Sequence, residues 1–386
     1  MDDWREITIG DVCESVSMTY NGTHSMVVLI NTSDVLEGRV LNHTPVLNQH
    51  LKGQFKKTFR RNDILYSEIR PANRRYAFVD FDRTDNYIAS TKLMVIRPNK
   101  ELVLPRFLYA ILTSKSIVDE LQLLAETRSG TFPQITFGAE VATRRIWLPS
   151  LTEQEKIVAI LDAIESKIQT NVAINDNLLQ QAIAIFNDRY DSAVEQCPFT
   201  SLIHVLGGGT PKTGTPEFWN GDIPFFTPKD VGSPYTFQTE KMITTTGLEH
   251  CNSRLYPENT TFVTARGTVG KVSLAGKPMA MNQSCYALAS DSIDPILVYF
   301  YTLRAVDSLK HKASGAVFDA IVTRDFETEV VSVIPETESK AILALITPMM
   351  RAIHSNAEGS IRLVALRDAL LPRLMSGEID VSGVTL

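Results

Sequence analysis

Two long stretches of the chain carry seam residues at strict four-then-three spacing. The first runs Ile157, Leu161, Ile164, Ile168, Asn171, Asn175, Leu178, Ala182 and Ile185. The second runs Ile342, Ile346, Met349, Ile353, Asn356, Ser360, Leu363, Arg367 and Leu370. That period over about four heptads, apolar at both ends and polar in the middle, predicts two helices that bury their seams against each other. An asparagine in such a seam costs stability but fixes register. A single amphipathic helix most often covers a core; two of matching period point instead to a pair. At about 1.5 Å per residue each would span on the order of 50 Å, enough to hold two other domains apart. Thr152-x-x-Glu155 reads as a capping box, so the first helix is expected to begin at Thr152. Pro372 is expected to interrupt the end of the second.

The segments around these helices repeat. Phe132–Pro149 (FPQITFGAEVATRRIWLP) lies over Phe318–Pro335 (FDAIVTRDFETEVVSVIP), with Phe, Ile and Pro at matching places. A slip of one residue then aligns Thr152-Glu153 with Thr337-Glu338 and Asn171 with Asn356. Upstream, Asp63–Ala77 resembles Asn259–Ser273: a strand ending in Arg70 or Arg266, a turn carrying Arg74-Arg75 or Lys271, and a second strand. Ile9 and Val12 match Leu202 and Val205 at the start of each copy. Strand-like runs with Gly, Pro and Asn turns fill the rest, and single helices fit 106–124 and 295–312. The fold class expected is mixed α/β (α+β). Two similar domains, 1–150 and 196–336, are joined by long helices at 151–195 and 337–386 that pack as an antiparallel coiled coil in an internal pseudo-two-fold repeat.

Composition changes this picture little, but charge does. At 386 residues and 44% hydrophobic the chain is ordinary globular material with room for more than one core. No run approaches a membrane span, and the acidic opening Met1-Asp2-Asp3-Trp4 is unlike a signal peptide, so a cytoplasmic protein with no membrane partner is expected. Cys13, Cys197, Cys251 and Cys285 are too scattered for a disulfide frame. His250 beside Cys251 lacks a second ligand pair at zinc spacing, so no metal is expected. The net charge of −6 argues against a simple basic nucleic-acid binder. Its distribution argues otherwise: 1–150 holds 19 basic and 17 acidic residues, whereas 151–195 holds 3 and 8. Basic residues crowd into 52–75.

The layout resembles the specificity subunit of Type I restriction–modification enzymes. The residues that carry the resemblance are LPSLTEQEKIVAILDAIESKI and its echo IPETESKAILALITPMM, GGGTPKTGTPEFWNGDIPFFTPKDV, TARGTVGKV followed by MNQSC, and the ending LRDALLPRLMSGEIDVS. The likeness covers essentially the whole chain; the echo departs from it in lacking the Glu-Gln pair. It implies two target-recognition domains, each reading one half of a split site on double-stranded DNA. It also implies two helices that pack antiparallel and dock two methyltransferase subunits, with restriction–translocase subunits joining the full complex. The acidic 151–195 stretch would then face the methyltransferase rather than DNA.

The residues fit a reader without catalysis. No Gly-rich cofactor loop or Asn-Pro-Pro-aromatic element of a base methylase is present, so no cofactor is expected. Glu165-Ser166-Lys167 and Glu338-Ser339-Lys340 echo a nuclease E-x-K but lie on the helices with no Pro-Asp dipeptide anywhere. The 207–209 glycines and Gly267–Lys271 do not keep phosphate-loop spacing. For DNA contact, Lys52, Lys56, Lys57, Arg60 and Arg61 suit phosphates, while Arg70, Arg74 and Arg75 on a turn suit a groove. In the second copy the candidates are Thr210, Lys212, Thr213, Lys229, Arg266 and Lys271; Arg128 is a further one, in a loop before the first Phe-start strand, and Ser314-Gly315 holds that place in the second. A coiled-coil adaptor that organises partners without touching DNA is the alternative reading. An enzyme with an unrecognised site is a further one, and the lack of any clustered Asp, Glu and His counts against it.

Overall fold

A computed structural model describes residues 4–49, 53–128, 131–312 and 320–385. The chain divides into two bodies of mixed α/β structure, 1–167 with 363–386, and 168–362. In the first body a four-stranded sheet sets Cys13–Val16, Leu93–Pro98, Ile64–Ser67 and Tyr76–Phe78 side by side, all antiparallel. A second sheet centres on Met26–Ile30 and Tyr87–Ser90, paired parallel. A two-stranded ribbon, Arg5–Thr8 with Arg145–Leu148, closes the body. Helices α1 (Pro105–Thr113) and α2 (Lys115–Arg128) lie against it where one helix was expected. Ser114, with φ −61° and ψ 144°, leaves the helical region, and its hydroxyl donates to Ile111 O (2.7 Å), which ends α1.

The second body repeats this order of elements. Its main sheet runs His204–Gly207, Cys285–Ala289, Thr261–Thr264 and Val272–Ala275, with Tyr235–Thr236 added at the edge. Trp219–Phe226 pairs parallel with Ala280–Met281, and Gln196–Pro198 pairs with Val330–Ser332 as the closing ribbon. The helices here are α4 (Thr245–Glu249), α5 (Pro295–Lys312) and α6 (Thr323–Thr328).

Backbone hydrogen bonds set the register of the repeat and correct the alignment read from sequence. Ile9 N donates to Arg144 O and Phe199 N to Glu329 O, so the partner of Ile9 is Phe199 and that of Val12 is Leu202. Both Ile9 and Phe199 are completely buried, an aliphatic-for-aromatic exchange that hides the match in sequence. Asn62 and Asn259 hold the same left-handed turn, φ 73° and 66°. Ile135 N donates to Glu68 O and Ile321 N to Ala265 O. One residue of slip then arises in a definite place. The first body has a π-turn, Phe137–Val141, where the second has α6. A π-turn is how a helical segment absorbs an extra residue.

The two long helices are α3 (Leu151–Ser192) and α7 (Glu336–Met375). The cap of α3 is Ser150 rather than Thr152: Ser150 Oγ accepts from Glu153 N (3.3 Å), and the Glu153 carboxylate accepts from Ser150 N (3.3 Å). Pro372 does not interrupt α7, which continues to Met375; Gly377, at φ 73°, follows its end. Pro348 also lies within the helix. None of the seam positions is exposed. In the first body Ile157 and Leu161 of α3 share a core with Leu371 and Leu374 of α7, and Arg367 Nη1 pairs with Glu165 (3.3 Å). In the second, Asn171 Nδ2 donates to Asn356 O (3.3 Å) and Ser360 Oγ (3.1 Å), and Asn175 Nδ2 donates to Ile353 O (3.3 Å). Asn356 Nδ2 closes the network on Asn175 Oδ1 (2.9 Å). A further stripe of α3, with Leu179, Phe186 and Tyr190, packs into the second body's core, where Phe186 stacks on Phe300 (5.4 Å).

The Glu-Gln pair at the start of α3 has an internal use. Gln154, fully buried, donates through Nε2 to Leu102 O (3.2 Å) and Pro149 O (3.0 Å) and accepts from Leu104 N (2.8 Å). It binds α3 to the start of α1. In α7 the same place is Ser339, whose hydroxyl donates to Ile334 O (3.3 Å) and to no other group among the described residues.

The sheet of the first body holds a buried ion pair. Asp63, 1% exposed, accepts from Arg97 Nε (2.8 Å) and Nη2 (2.7 Å) and from Arg60 N (2.8 Å). Removing one partner of such a pair leaves the other charge unsatisfied. Asp63→Ala is therefore expected to destabilise the first body by about 3–5 kcal/mol, read as an earlier denaturant midpoint against wild type.

Candidate nucleic-acid interface

In the first body the strand Ile64–Ser67 leads into the arginine turn. Pro71–Asn73 forms one turn of 3-10 helix between Arg70 and Arg74, both left-handed at φ 45° and 52°. Asn73 N donates to Arg70 O (2.9 Å) and Arg74 N to Pro71 O (2.9 Å). Ala72 N donates to Gln122 Oε1 of α2 (3.0 Å), and Arg70 N to Pro133 O (3.2 Å). The turn is thus held from outside as well as from within. Arg70 is exposed and forms no ion pair among the described residues. Arg74 reaches Glu37 at 3.4 Å, and Arg75 donates to Ser33 O (3.1 Å).

The second body builds the same turn one residue shorter. Ser67 N donates to Arg75 O, and Thr264 N to Lys271 O, so Lys271 stands where Arg75 does. Isolated bridges Ile69 to Gln134 and Arg266 to Ala320 put Arg266 at the place of Ile69, not of Arg70. Gly267 (φ 82°) and Gly270 (φ 72°) occupy the two left-handed positions that Arg70 and Arg74 fill in the first body. A side chain at such a φ costs roughly 1–2 kcal/mol, which glycine avoids. The first body carries that cost at two arginines.

The basic run read from sequence is not one patch. Arg60 and Arg61 precede the strand Ile64–Ser67, while Arg70, Arg74 and Arg75 follow it, about 13 Å of strand away. Arg61 is paired with Asp82 (2.8 Å). Lys57 is half-buried, and its ammonium donates to Thr91 O (3.0 Å) and Leu93 O (2.8 Å). Burial pulls its pKa below the ordinary lysine value, nearby Lys92 adds to that, and Glu68 opposes it. Lys57 thus braces the loop instead of presenting a charge. Lys56, on the same strand, is exposed with no ion pair among the described residues. Arg128 is held by Glu140 (2.7 Å). Burial would raise the Glu140 pKa, but two bonds from Thr136 and the Arg128 charge outweigh it and hold it low. Lys52, Ser129, Gly130, Ser314 and Gly315 lie outside the described residues.

Sequence reasoning missed Lys92. Its Nζ donates to Gln134 Oε1 (2.9 Å) and lies 3.7 Å from Glu68. The carbonyl of Lys92 accepts from Glu68 N (3.0 Å), which sets it beside the arginine turn. Nothing in a lone Thr-Lys dipeptide signals this; only the pairing of Leu93 with Ser67 brings it there.

In the second body four loops meet at the corresponding sheet end. Gly208–Thr210 follows the strand His204–Gly207, and Thr227–Lys229 follows Trp219–Phe226. Arg266–Gly270 forms the hairpin turn, and Asn282–Ser284 precedes Cys285–Ala289. Thr268 Oγ1 donates to Pro228 O (3.1 Å), Asn282 N to Phe226 O (3.0 Å), and Arg266 N to Ser284 O (3.3 Å). Thr210 Oγ1 donates to Gln283 Oε1. Arg266 and Lys271 are exposed, whereas Lys229 is 3.6 Å from Glu240. Lys212 and Thr213 are exposed on the following loop, where Lys212 O accepts from Trp219 Nε1 (3.2 Å).

His250 stacks on Phe218 (5.0 Å) and Cys251 donates to Leu248 O (3.4 Å). Among the described residues no group of three His, Cys, Asp or Glu side chains is arranged to hold a metal. No helix among them is long and apolar enough to cross a membrane.

The sequence profile of the Type I restriction modification DNA specificity domain matches residues 1–180 and again 193–362. The chain is 31% identical to the HindI specificity subunit of Haemophilus influenzae, over 98% of this chain and all of that one. It is 27% identical to the EcoR124I/EcoR124II specificity subunit of Escherichia coli, over 56% of this chain and 57% of that one. In fold it is similar to the crystal structure of a Type-I restriction-modification system S subunit from M. genitalium. That match has a TM-score of 0.54 at 13% identity and covers 97% of this chain and 96% of that one.

The left-handed arginines give a separable test of use and stability. Arg70→Gly and Arg74→Gly are each expected to stabilise the fold by up to about 1 kcal/mol, the relieved strain being partly offset by added freedom of the unfolded chain. Both should weaken DNA binding. Thermal unfolding and a fluorescence titration on the same samples read the two effects; unchanged affinity would make the arginines structural only.

Proposed function

The chain belongs to the family of Type I restriction-modification DNA specificity subunits, and from that premise we propose that it reads a bipartite site. Its general role is to read DNA for a Type I complex and to dock the modification and restriction subunits. In the finer reading, residues 1–150 and 196–336 are the two target-recognition domains, one for each half-site. The helices of 151–195 and 337–386 pair antiparallel between them. The observation that carries it is the turn built twice on the same hydrogen bonds with different side chains: Arg70, Arg74, Arg75 and Lys92 in one copy, Arg266, Lys271 and Gln283 in the other. A constant frame with varied tips suits two readers of unlike half-sites.

For the helix pair, support comes from the asparagine network. Moving along α3 from Asn171 to Asn175, the partners on α7 move back from Ser360 to Ile353, as in antiparallel packing. The excess of acid in 151–195, 8 acidic against 3 basic residues, suits a face turned to a protein partner rather than to phosphates. The chain's own role is recognition, and methyl transfer and cleavage belong to the partner subunits.

A genome-wide methylation profile of cells with and without this chain tests the reading. A split motif, two short half-sites around an unread spacer, should vanish on deletion, and exchanging 196–336 should change one half only. Methylation that persists unchanged would instead favour the adaptor. On binding, Arg70→Ala and Arg266→Ala should each cost roughly 1–3 kcal/mol on cognate DNA, at opposite half-sites. Equal losses on scrambled DNA would mean phosphate contact. Lys56→Ala should lower the salt slope of binding by about one unit, whereas Lys57→Ala should chiefly lower stability.

A further inference from the structure

We infer that Gln283 reads an adenine in the half-site of the second recognition domain, with Thr210 as the residue that positions its amide. The inference rests on the DNA-reading role proposed above. Gln283 is exposed at the tip of the Asn282–Ser284 turn. That turn is fixed on both sides: Asn282 N donates to Phe226 O (3.0 Å), Ser284 N to Asn282 Oδ1 (3.0 Å), and Ser284 O accepts from Ala265 N (2.8 Å) and Arg266 N (3.3 Å). Gln283 therefore stands next to the Arg266 turn on a stiff support.

Two glycines bring Thr210 to it. A Cβ on Gly208 would stand 2.6 Å from Met281 O and nearer still to Asn282 O. One on Gly209 would stand 2.6 Å from Asn252 N. Only bare backbone lets the Gly208–Thr210 loop lie this close to the turn, and the Thr210 hydroxyl then donates to Gln283 Oε1. In that bond the amide oxygen faces Thr210. The bond leaves one acceptor site on Oε1 and both Nε2 protons without a partner among the described residues. A paired acceptor and donor on a planar amide match N6–H and N7 on the major-groove edge of adenine. The same turn in the first body carries Thr91 and Lys92, whose different chemistry fits a different half-site.

The test uses the chain assembled with its modification subunits and duplexes bearing the motif found by methylation profiling. In each duplex one adenine of the half-site governed by 196–336 is replaced by 7-deazaadenine, which lacks the N7 acceptor. Wild-type complex should lose roughly 5- to 150-fold in affinity at one adenine. Gln283→Ala should lose at least that factor on unmodified DNA and clearly less on the analogue, where only the bond to N6–H is left to lose. Thr210→Val should weaken binding to unmodified DNA more than to the analogue, and Thr210→Ser should restore it. Unchanged thermal unfolding of the variants guards against a folding defect. Additive losses, a uniform loss on scrambled DNA, no loss in Gln283→Ala, or a half-site without adenine would each overturn the inference. If exchanging 196–336 leaves the motif unchanged, the recognition role itself falls. If the exchange changes a half-site and Gln283→Ala does not, only the assignment of Gln283 falls.

Discussion

Each body depends on a short ribbon that ties its first strand to the strand leading into its long helix. Arg5–Thr8 pairs with Arg145–Leu148, and Gln196–Pro198 pairs with Val330–Ser332. The first buried residue after each ribbon, Ile9 or Phe199, donates its amide to the carbonyl just ahead of the returning strand. Beginning and end of the body are thereby fastened together, and α3 or α7 leaves from a fixed point. Buried Gln154 stiffens the first of these exits by satisfying three backbone groups at once. Among the described residues Ser339 satisfies one, so the two exits are alike in path but not in bracing.

On that frame the two bodies divide the same turn differently. The first places arginines at both left-handed positions, the second places glycines there and moves its arginine to a neighbouring extended position. The first arrangement costs conformational energy and gains long cationic side chains at the tip of a braced turn. The second relaxes the backbone and relies on neighbouring loops, drawn in by Gly208 and Gly209, to supply Thr210 and Gln283. Charge alone would have hidden this, because the chain as a whole is acidic.

Only part of the basic run of 52–75 remains available on this frame. Arg61 is neutralised by an aspartate, Lys57 bonds carbonyl oxygens, and Arg60 sits at the opposite end of the strand from the arginine turn. A surface ion pair such as Arg61–Asp82 contributes little to stability and could open for a phosphate. Lys57, with its charge desolvated and satisfied, has no such freedom.

The sequence by itself determined the long helices, the fact of a repeat, and the family, because heptad spacing and local motifs are properties of neighbours along the chain. The four-then-three seam needed no knowledge of what it faces. Register was out of its reach. Ile9 and Phe199 are equivalent by hydrogen bonding yet unlike as residues, and one residue of slip hides in a π-turn at Phe137–Val141. The candidate site was legible only where it is contiguous, as at Arg70–Arg75. Lys92 and Gln283 join it through strand pairing between segments distant in sequence. Which lysine is spent on a carbonyl and which left in water is likewise a matter of three-dimensional neighbours, and only the tertiary structure decides it.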